Sequence, residues 1–208
     1  MVEEKEKQET QKYENKNKKR FKENLKTKIK QLKGKVIKEK RVALLKLDGI
    51  IMDSDSMPTT KKFIKCLNEL EEKEIKNVVI RINTPGGTVG GSQEIYNAIM
   101  RLRKEGYHFV ASLGDICASG GVYVAAAANK VVSNPGTVTG SIGVIIPKAN
   151  YKELYQKIGI DSESVKSGPY KDILSRYRYL TEEEKQLLQE MVDDTYNQFV
   201  NVVAEGSG

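Results

Sequence analysis

From residue 41 onward, short apolar runs alternate with stretches in which apolar residues recur every three or four positions. Residues 41–47 form the first apolar run and end at Asp48-Gly49, which reads as a strand followed by a turn. Residues 53–58 are a polar loop closing on Pro58. Phe63, Ile64, Leu67 and Leu70 then share one helical face, so Thr59 or Thr60 is expected to cap a helix reaching about residue 73. A second buried strand is expected at 77–82. Ser92 is placed as the cap of a helix to about residue 105, with Ile95, Ile99 and Leu102 inward. A third strand follows at 108–113.

Further along, 122–128 is a run of Ala and Val expected to be helical, and 130–133 a strand. Val144-Ile145-Ile146 and 163–166 are read as short strands, and 151–158 as a short helix. Thr181 with Glu184 makes a capping-box start for a long helix to about residue 204. Strand and helix alternate from 41 to 166. That order predicts an α/β domain of βαβ units with a mainly parallel sheet.

Before residue 41 the pattern changes. Leu25, Ile29, Leu32 and Val36 hint at a weak amphipathic helix over 21–37, in a segment otherwise rich in Lys, Glu, Gln and Asn. The chain's net charge of +7 belongs to this arm. Residues 1–41 carry sixteen Lys and Arg against seven acidic residues, net +9, and the remainder carries net −2. Residues 1–40 are therefore expected to be a solvated, partly helical basic arm, with an anionic membrane surface as its possible partner. The nearly neutral domain argues against nucleic-acid binding. No run of about 20 apolar residues is present, and there is no apolar segment of signal-peptide type at the N-terminus. Cys66 and Cys117 form no metal motif and are both expected to be small buried hydrophobes.

The chemistry concentrates at 114–123, Gly-Asp-Ile-Cys-Ala-Ser-Gly-Gly-Val-Tyr. Ser119 stands between a strand and a helix, with two glycines after it that let backbone approach a bound group. Backbone N–H groups freed at the helix start would face an oxyanion formed there. That is the layout of a serine nucleophile, and a capping serine with tight helix packing is the alternative reading. Two glycine-rich turns, 83–91 and 134–143, also fall at strand ends, where α/β proteins build sites. Neither matches a phosphate-binding glycine pattern.

A serine hydroxyl needs a base. The single histidine, His108, begins the strand leading to Ser119 and so lies some 15–20 Å away. A Ser-His-Asp triad is excluded on that ground, which leaves a lysine held neutral by burial. Lys171 follows a Gly-Pro-Tyr turn and precedes Ile173 and Leu174. It stands ahead of Lys148 and Lys166, with pairing to Asp172 as its alternative reading.

Four motifs in order are similar to the signal peptide peptidase A family, over about residues 41–205. They are Arg-Ile-Asn-Thr-Pro-Gly-Gly-Thr-Val at 81–89, the stretch 114–123, Asn-Pro-Gly-Thr-Val-Thr-Gly-Ser-Ile-Gly-Val at 134–144, and Lys-Ser-Gly-Pro-Tyr-Lys-Asp at 166–172. The resemblance implies the Clp-protease/crotonase fold, a spiral of ββα units, and a serine-lysine dyad. By matched position Ser119 would be the nucleophile, Lys171 the general base and Ser141 the hydroxyl that holds the lysine. Gly86, Gly87 and Gly120 would form the oxyanion hole. Thr84 stands where the family usually has serine, and Cys117 replaces a small residue.

The resemblance calls for no cofactor and no metal. It implies peptide substrates, cleaved signal peptides among them, and a homo-oligomer whose sites are shared between subunits. Family members begin with a membrane anchor and continue past the long helix. The given chain is thus expected to be truncated at its C-terminal end, in a domain spanning 41–208, and to come from a parent associated with the bacterial membrane. Competing readings are a stomatin-cleaving or phage capsid-maturation protease of the same fold, an inactive peptide-binding scaffold, and a crotonase-type acyl-CoA enzyme.

Overall fold

The computed structural model describes residues 41–206, together with Glu23; the expectations for the basic arm lie outside the described residues. One compact unit begins at Arg41. Five strands carry the fold: β1 (Val42–Asp48), β2 (Asn77–Thr84), β3 (His108–Ala118), β4 (Lys130–Val132) and β5 (Val138–Gly140). Among the described residues from Arg41 onward five helices accompany them: α1 (Thr59–Glu72), α2 (Val89–Lys104), α3 (Gly120–Ala125), α4 (Lys152–Lys157) and α5 (Glu182–Gly206). All ladder pairings are parallel, in the order β1-β2-β3-β4, and β5 pairs with the far half of β3.

The core forms where the alternating strand positions meet the helical stripes. Val78, Ile80 and Ile82 of β2 and Phe109 and Ala111 of β3 are buried with Phe63, Leu67 and Leu70 of α1 and Ile95, Ile99 and Leu102 of α2. The inward faces expected for both helices are the buried ones. Burial of a Leu, Ile or Phe side chain contributes about 1.5–3 kcal/mol each, so this layer anchors everything built on it.

Several boundaries differ from the sequence reading. The cap of α2 is Thr88, whose hydroxyl accepts from the Gly91 N–H at 3.3 Å; Ser92 lies inside the helix. β3 runs past Leu113 to Ala118 because β5 supplies a second partner, with Ile116 opposite Val138 and Ala118 opposite Gly140. Local pattern does not show β5, since the glycines around it read as a turn. Residues 144–146 and 163–166 form no strands. No neighbouring strand reaches them, and Ile145 and Val165 project into solvent, 84% and 102% exposed. Cys117 is buried as expected and burial pushes its thiol up to about 11, but Cys66 is exposed, on the outer side of α1.

β3 bulges between its two pairings. Leu113 lies opposite Ile82 and Cys117 opposite Thr84, so β3 holds extra residues over this step. The Asn83 side chain fills the break, its Oδ1 accepting from the N–H groups of Asp115 at 3.0 Å and Ile116 at 3.1 Å. Bulges re-aim a strand. Here the redirected end of β3 delivers Ala118 and Ser119 to the ends of β2 and β5.

Candidate active site

Ser119 sits at a sharp turn from β3 into α3, with φ 51° and ψ −120°. This region is sparsely populated for a residue with a Cβ, and holding one there costs about 1–3 kcal/mol. The neighbours fix it. The Ser119 N–H donates to the Gly140 carbonyl at 2.9 Å, and the Ser119 carbonyl accepts from Val122 at 2.9 Å and Tyr123 at 3.1 Å. Such a strained strand-to-helix turn lifts a hydroxyl clear of the backbone. Among the described residues the Ser119 hydroxyl has no hydrogen-bond partner, so the capping alternative fails: the side chain does not cap α3.

The glycine loop after β2 presses directly against this turn. Gly86 adopts φ 101°, and a Cβ there would stand 2.8 Å from both the Ser119 Cβ and the Gly120 nitrogen. Only glycine allows that approach. The Gly86 N–H is engaged with the Thr84 hydroxyl at 3.0 Å. Gly87 is different. Its bridge to Ile51 uses the neighbouring groups, with Ile51 N–H donating to Gly86 and Thr88 N–H donating to Ile51. The Gly87 N–H is left facing the other way. Among the described residues neither it nor the Gly120 N–H has a backbone or side-chain acceptor. The Gly87 nitrogen is 3.4 Å from the point a Gly120 Cβ would occupy, so the two free donors lie close together beside Ser119.

Gly87, Ser119 and Gly120 line one pocket of about 110 Å³ with Val89, Tyr123, Val144, Ile145 and Phe199. The wall is apolar and aromatic: the Tyr123 ring packs on Tyr96 at 5.3 Å and on Phe199 at 5.2 Å. Sequence reasoning missed the contribution of Thr195 and Phe199, because α5 comes from the far end of the chain and no local pattern marks it as a pocket wall.

Ser141 follows Gly140, the register partner of Ala118, so Ser119 and Ser141 leave adjacent parallel strands at the same level. Ser141 also has a positive φ, 53°, and is exposed. Neither Ser141 nor Lys171 lines the Ser119 pocket. Lys171 lies on the exposed surface of the 166–178 segment, its N–H donating to the Gly168 carbonyl at 3.3 Å.

The three lysines considered differ in what holds their amines. Lys148 Nζ donates to the Arg178 carbonyl at 2.7 Å, and Lys166 Nζ to Asp172 at 2.6 Å and to the Pro169 carbonyl at 3.1 Å. Asp172 pairs with Lys166 and Arg178 and not with Lys171. Among the described residues the Lys171 amine has no partner. His108 starts β3 at an exposed position, at the opposite end of that eleven-residue strand from Ser119. No three His, Cys, Asp or Glu side chains converge among the described residues, and no described helix is long and apolar enough to cross a membrane.

Family models and curated proteins match much of the chain. The model of peptidase family S49 matches residues 101–208, and that of Clp protease matches residues 33–142. The chain is 46% identical over 167 residues to a putative protease of Synechocystis, covering 80% of this chain and 58% of that protein. It is 35% identical to a putative signal peptide peptidase SppA of Enterococcus faecium, over 80% of this chain and 51% of that one. A putative protease of Methanocaldococcus jannaschii is 38% identical over 69% of this chain and 46% of its own length. The chain thus spans about half the length of the curated relatives it matches. The parallel sheet with its helices is a Clp protease-like fold, and the chain belongs to peptidase family S49.

Proposed function

We propose that this chain is a serine peptidase domain in which Ser119 is the nucleophile, Lys171 the general base and Ser141 the hydroxyl that orients the lysine. The observation that carries the reading is the unpartnered Ser119 hydroxyl on a strained turn, beside two free N–H groups at Gly87 and Gly120.

Ser119 Oγ attacks the carbonyl carbon of the scissile peptide as its proton passes to Lys171 Nζ. The carbonyl oxygen takes the negative charge and accepts from the Gly87 and Gly120 N–H groups, each such donor being worth about 3 kcal/mol in the transition state. Collapse breaks the C–N bond, and Lys171 returns the proton to the leaving amine. The acyl group stays on Ser119 as an ester. Water then attacks that ester as Lys171 accepts its proton; the Oγ–acyl bond breaks, Lys171 returns the proton to Ser119 Oγ, and the acid leaves. Gly86 serves by shape, since its own N–H is held by Thr84.

The small apolar pocket suits small or apolar side chains before the cut. With relatives named as signal peptide peptidases, cleaved signal peptides and other unfolded or membrane-associated peptides are the substrates we infer. Lys171 is exposed and off the pocket wall, and many apolar side chains of residues 131–200 are exposed. We infer a homo-oligomer in which a site is completed across subunits, in a parent protein associated with a bacterial membrane.

The test is hydrolysis of fluorescent casein and labelling by a fluorophosphonate probe. Ser119→Ala and Lys171→Ala should each abolish both signals while the thermal midpoint stays in place. The double variant should lose no more than either single, because the two groups act as one unit. Activity should rise with pH into the alkaline range, and His108→Ala should leave that profile unchanged. Labelling of Ser119→Ala would remove the nucleophile, and more than a few per cent activity in Lys171→Ala would remove the base.

A further inference from the structure

The residue next to Lys171 is an acid, and an unpaired carboxylate beside a lysine would hold its proton in place. The structure directs that carboxylate elsewhere. Arg178 grips Asp172 with two bonds, Nε to Oδ2 at 3.0 Å and a terminal nitrogen to Oδ1 at 2.8 Å. Lys166 Nζ adds a third at 2.6 Å. The same guanidinium reaches Glu184 on α5 at 2.7 Å and 2.5 Å. Glu184 is only 3% exposed, and its carboxylate also accepts from the Thr181 N–H at 2.9 Å in the capping box that starts α5. Tyr170, on the other side of Lys171, donates its hydroxyl to Glu183 of the same helix.

We propose that Arg178 is a positioning residue for the lysine base: with Lys166 it holds Asp172 away from Lys171, so that the Lys171 amine stays unpaired and able to accept a proton. This rests on Lys171 being the base. Arg178, standing between Asp172 and a carboxylate anchored in α5, ties the 166–178 segment to the long helix and fixes where the amine is presented. The four charges of Lys166, Asp172, Arg178 and Glu184 sum to zero, so the cluster carries no net charge beside Lys171. Its hydrogen bonds from Arg178 and then Lys166 hold the Asp172 carboxyl well below the usual carboxylate range, so Asp172 is an anion wherever the enzyme works and always competes for a free cation. Of the other charged groups around the segment, Glu183 is engaged by Tyr170 and Lys148 by the Arg178 carbonyl, and the Arg176 guanidinium lies over the Tyr151 ring at 5.9 Å.

The experiment is the pH profile of fluorophosphonate labelling and of kcat/KM on fluorescent casein, with thermal unfolding alongside. The set is wild type, Lys171→Met, Arg178→Gln, Lys166→Met, Asp172→Asn and the double Arg178→Gln/Asp172→Asn. Freeing Asp172 should move the acidic limb toward alkaline pH by about half to one unit in Arg178→Gln, and in the same direction in Lys166→Met. Asp172→Asn should move it the other way, and the double variant should return the limb to near its wild-type place. A purely structural role would lower stability and rate without that rescue. If Lys171→Met is dead and the limb stays put in Lys166→Met and Asp172→Asn, the positioning role is wrong and the base stands. If Lys171→Met labels like wild type, or wild type does not label at all, the base reading fails and takes this role with it. Should Arg178→Gln not fold, Lys166→Met and Asp172→Asn decide alone.

Discussion

A Cβ at residue 120 would stand 2.3 Å from the Ser92 hydroxyl and 3.3 Å from the Ser92 Cβ. Ser92 is buried, and its hydroxyl donates to the Thr88 carbonyl at 2.9 Å, so it has little room to give. Gly120→Ala should therefore lose about 1–3 kcal/mol through overpacking. It should also lose activity, because the Gly120 N–H moves with the backbone. Ser92→Ala takes away the closest atom at the loss of one hydrogen bond, about 1 kcal/mol. Urea unfolding of the two single variants and the double should show strong non-additivity, with the double more stable than Gly120→Ala. Simple addition of the two losses would mean the clash is relieved elsewhere. The sequence showed Ser-Gly-Gly as a strand-to-helix turn where backbone comes close, with a capping serine and tight helix packing as the other reading. It did not show the cause. The atom that requires glycine is the Ser92 hydroxyl, and only the folded chain brings it to position 120.

At the scale of elements, the helices were the easiest to read and the strands after residue 130 the hardest. A helix states its own period, and the faces of α1 and α2 could be named from it. The capping box of Thr181 and Glu184 was visible too, and both of its bonds are present. A strand needs a partner that local pattern does not supply, so 144–146 and 163–166 read as strands in the sequence yet pair with no strand among the described residues. The capping box also sets an acid limit. Bonds from Arg178 first, then the Thr181 backbone, lower the Glu184 carboxyl to about 2 from an ordinary 4.5. A carboxyl depressed in the folded state favours folding when ionised. Its contribution is whole above about pH 4.5 and is lost as pH falls toward 2. Glu184→Gln never has it. The gap in thermal midpoint between wild type and Glu184→Gln should thus be widest near pH 6 and close steadily below pH 4.5. A gap that stays constant down to pH 2 would mean that the ion pair gives α5 no net support.

At the scale of the molecule, the described residues include exposed apolar side chains at both edges of the sheet. Val42 and Leu44 of β1 and Val131 and Val132 of β4 are exposed, as are Ile142, Ile145, Leu154, Ile158 and Leu174 beyond them. Parallel sheets are ordinarily covered, and patches of this kind mark interfaces. A near-neutral domain offers copies little repulsion. Mixing inactive Ser119→Ala with inactive Lys171→Ala should accordingly restore part of the casein-cleaving activity, since a mixed assembly holds some sites with both groups intact, and activity per molecule should fall on dilution. A mixture shown to exchange subunits that stays inactive would put serine and lysine in one subunit's site.

The bond from the Ser119 N–H to the Gly140 carbonyl has a consequence in time as well as in space. Ribosomal synthesis makes the serine before it makes the strand that bends it. Until β5 has been added and docked against the end of β3, nothing on that edge holds the turn in its strained shape. The amine segment is secured later still, when the first turn of α5 exists to receive Arg178. If Ser119 is the nucleophile, a growing chain carries that hydroxyl without the means to use it from residue 119 until α5 begins at Glu182. On that reading the order of the sequence would act as a safety catch, released once the first turn of α5 is in place.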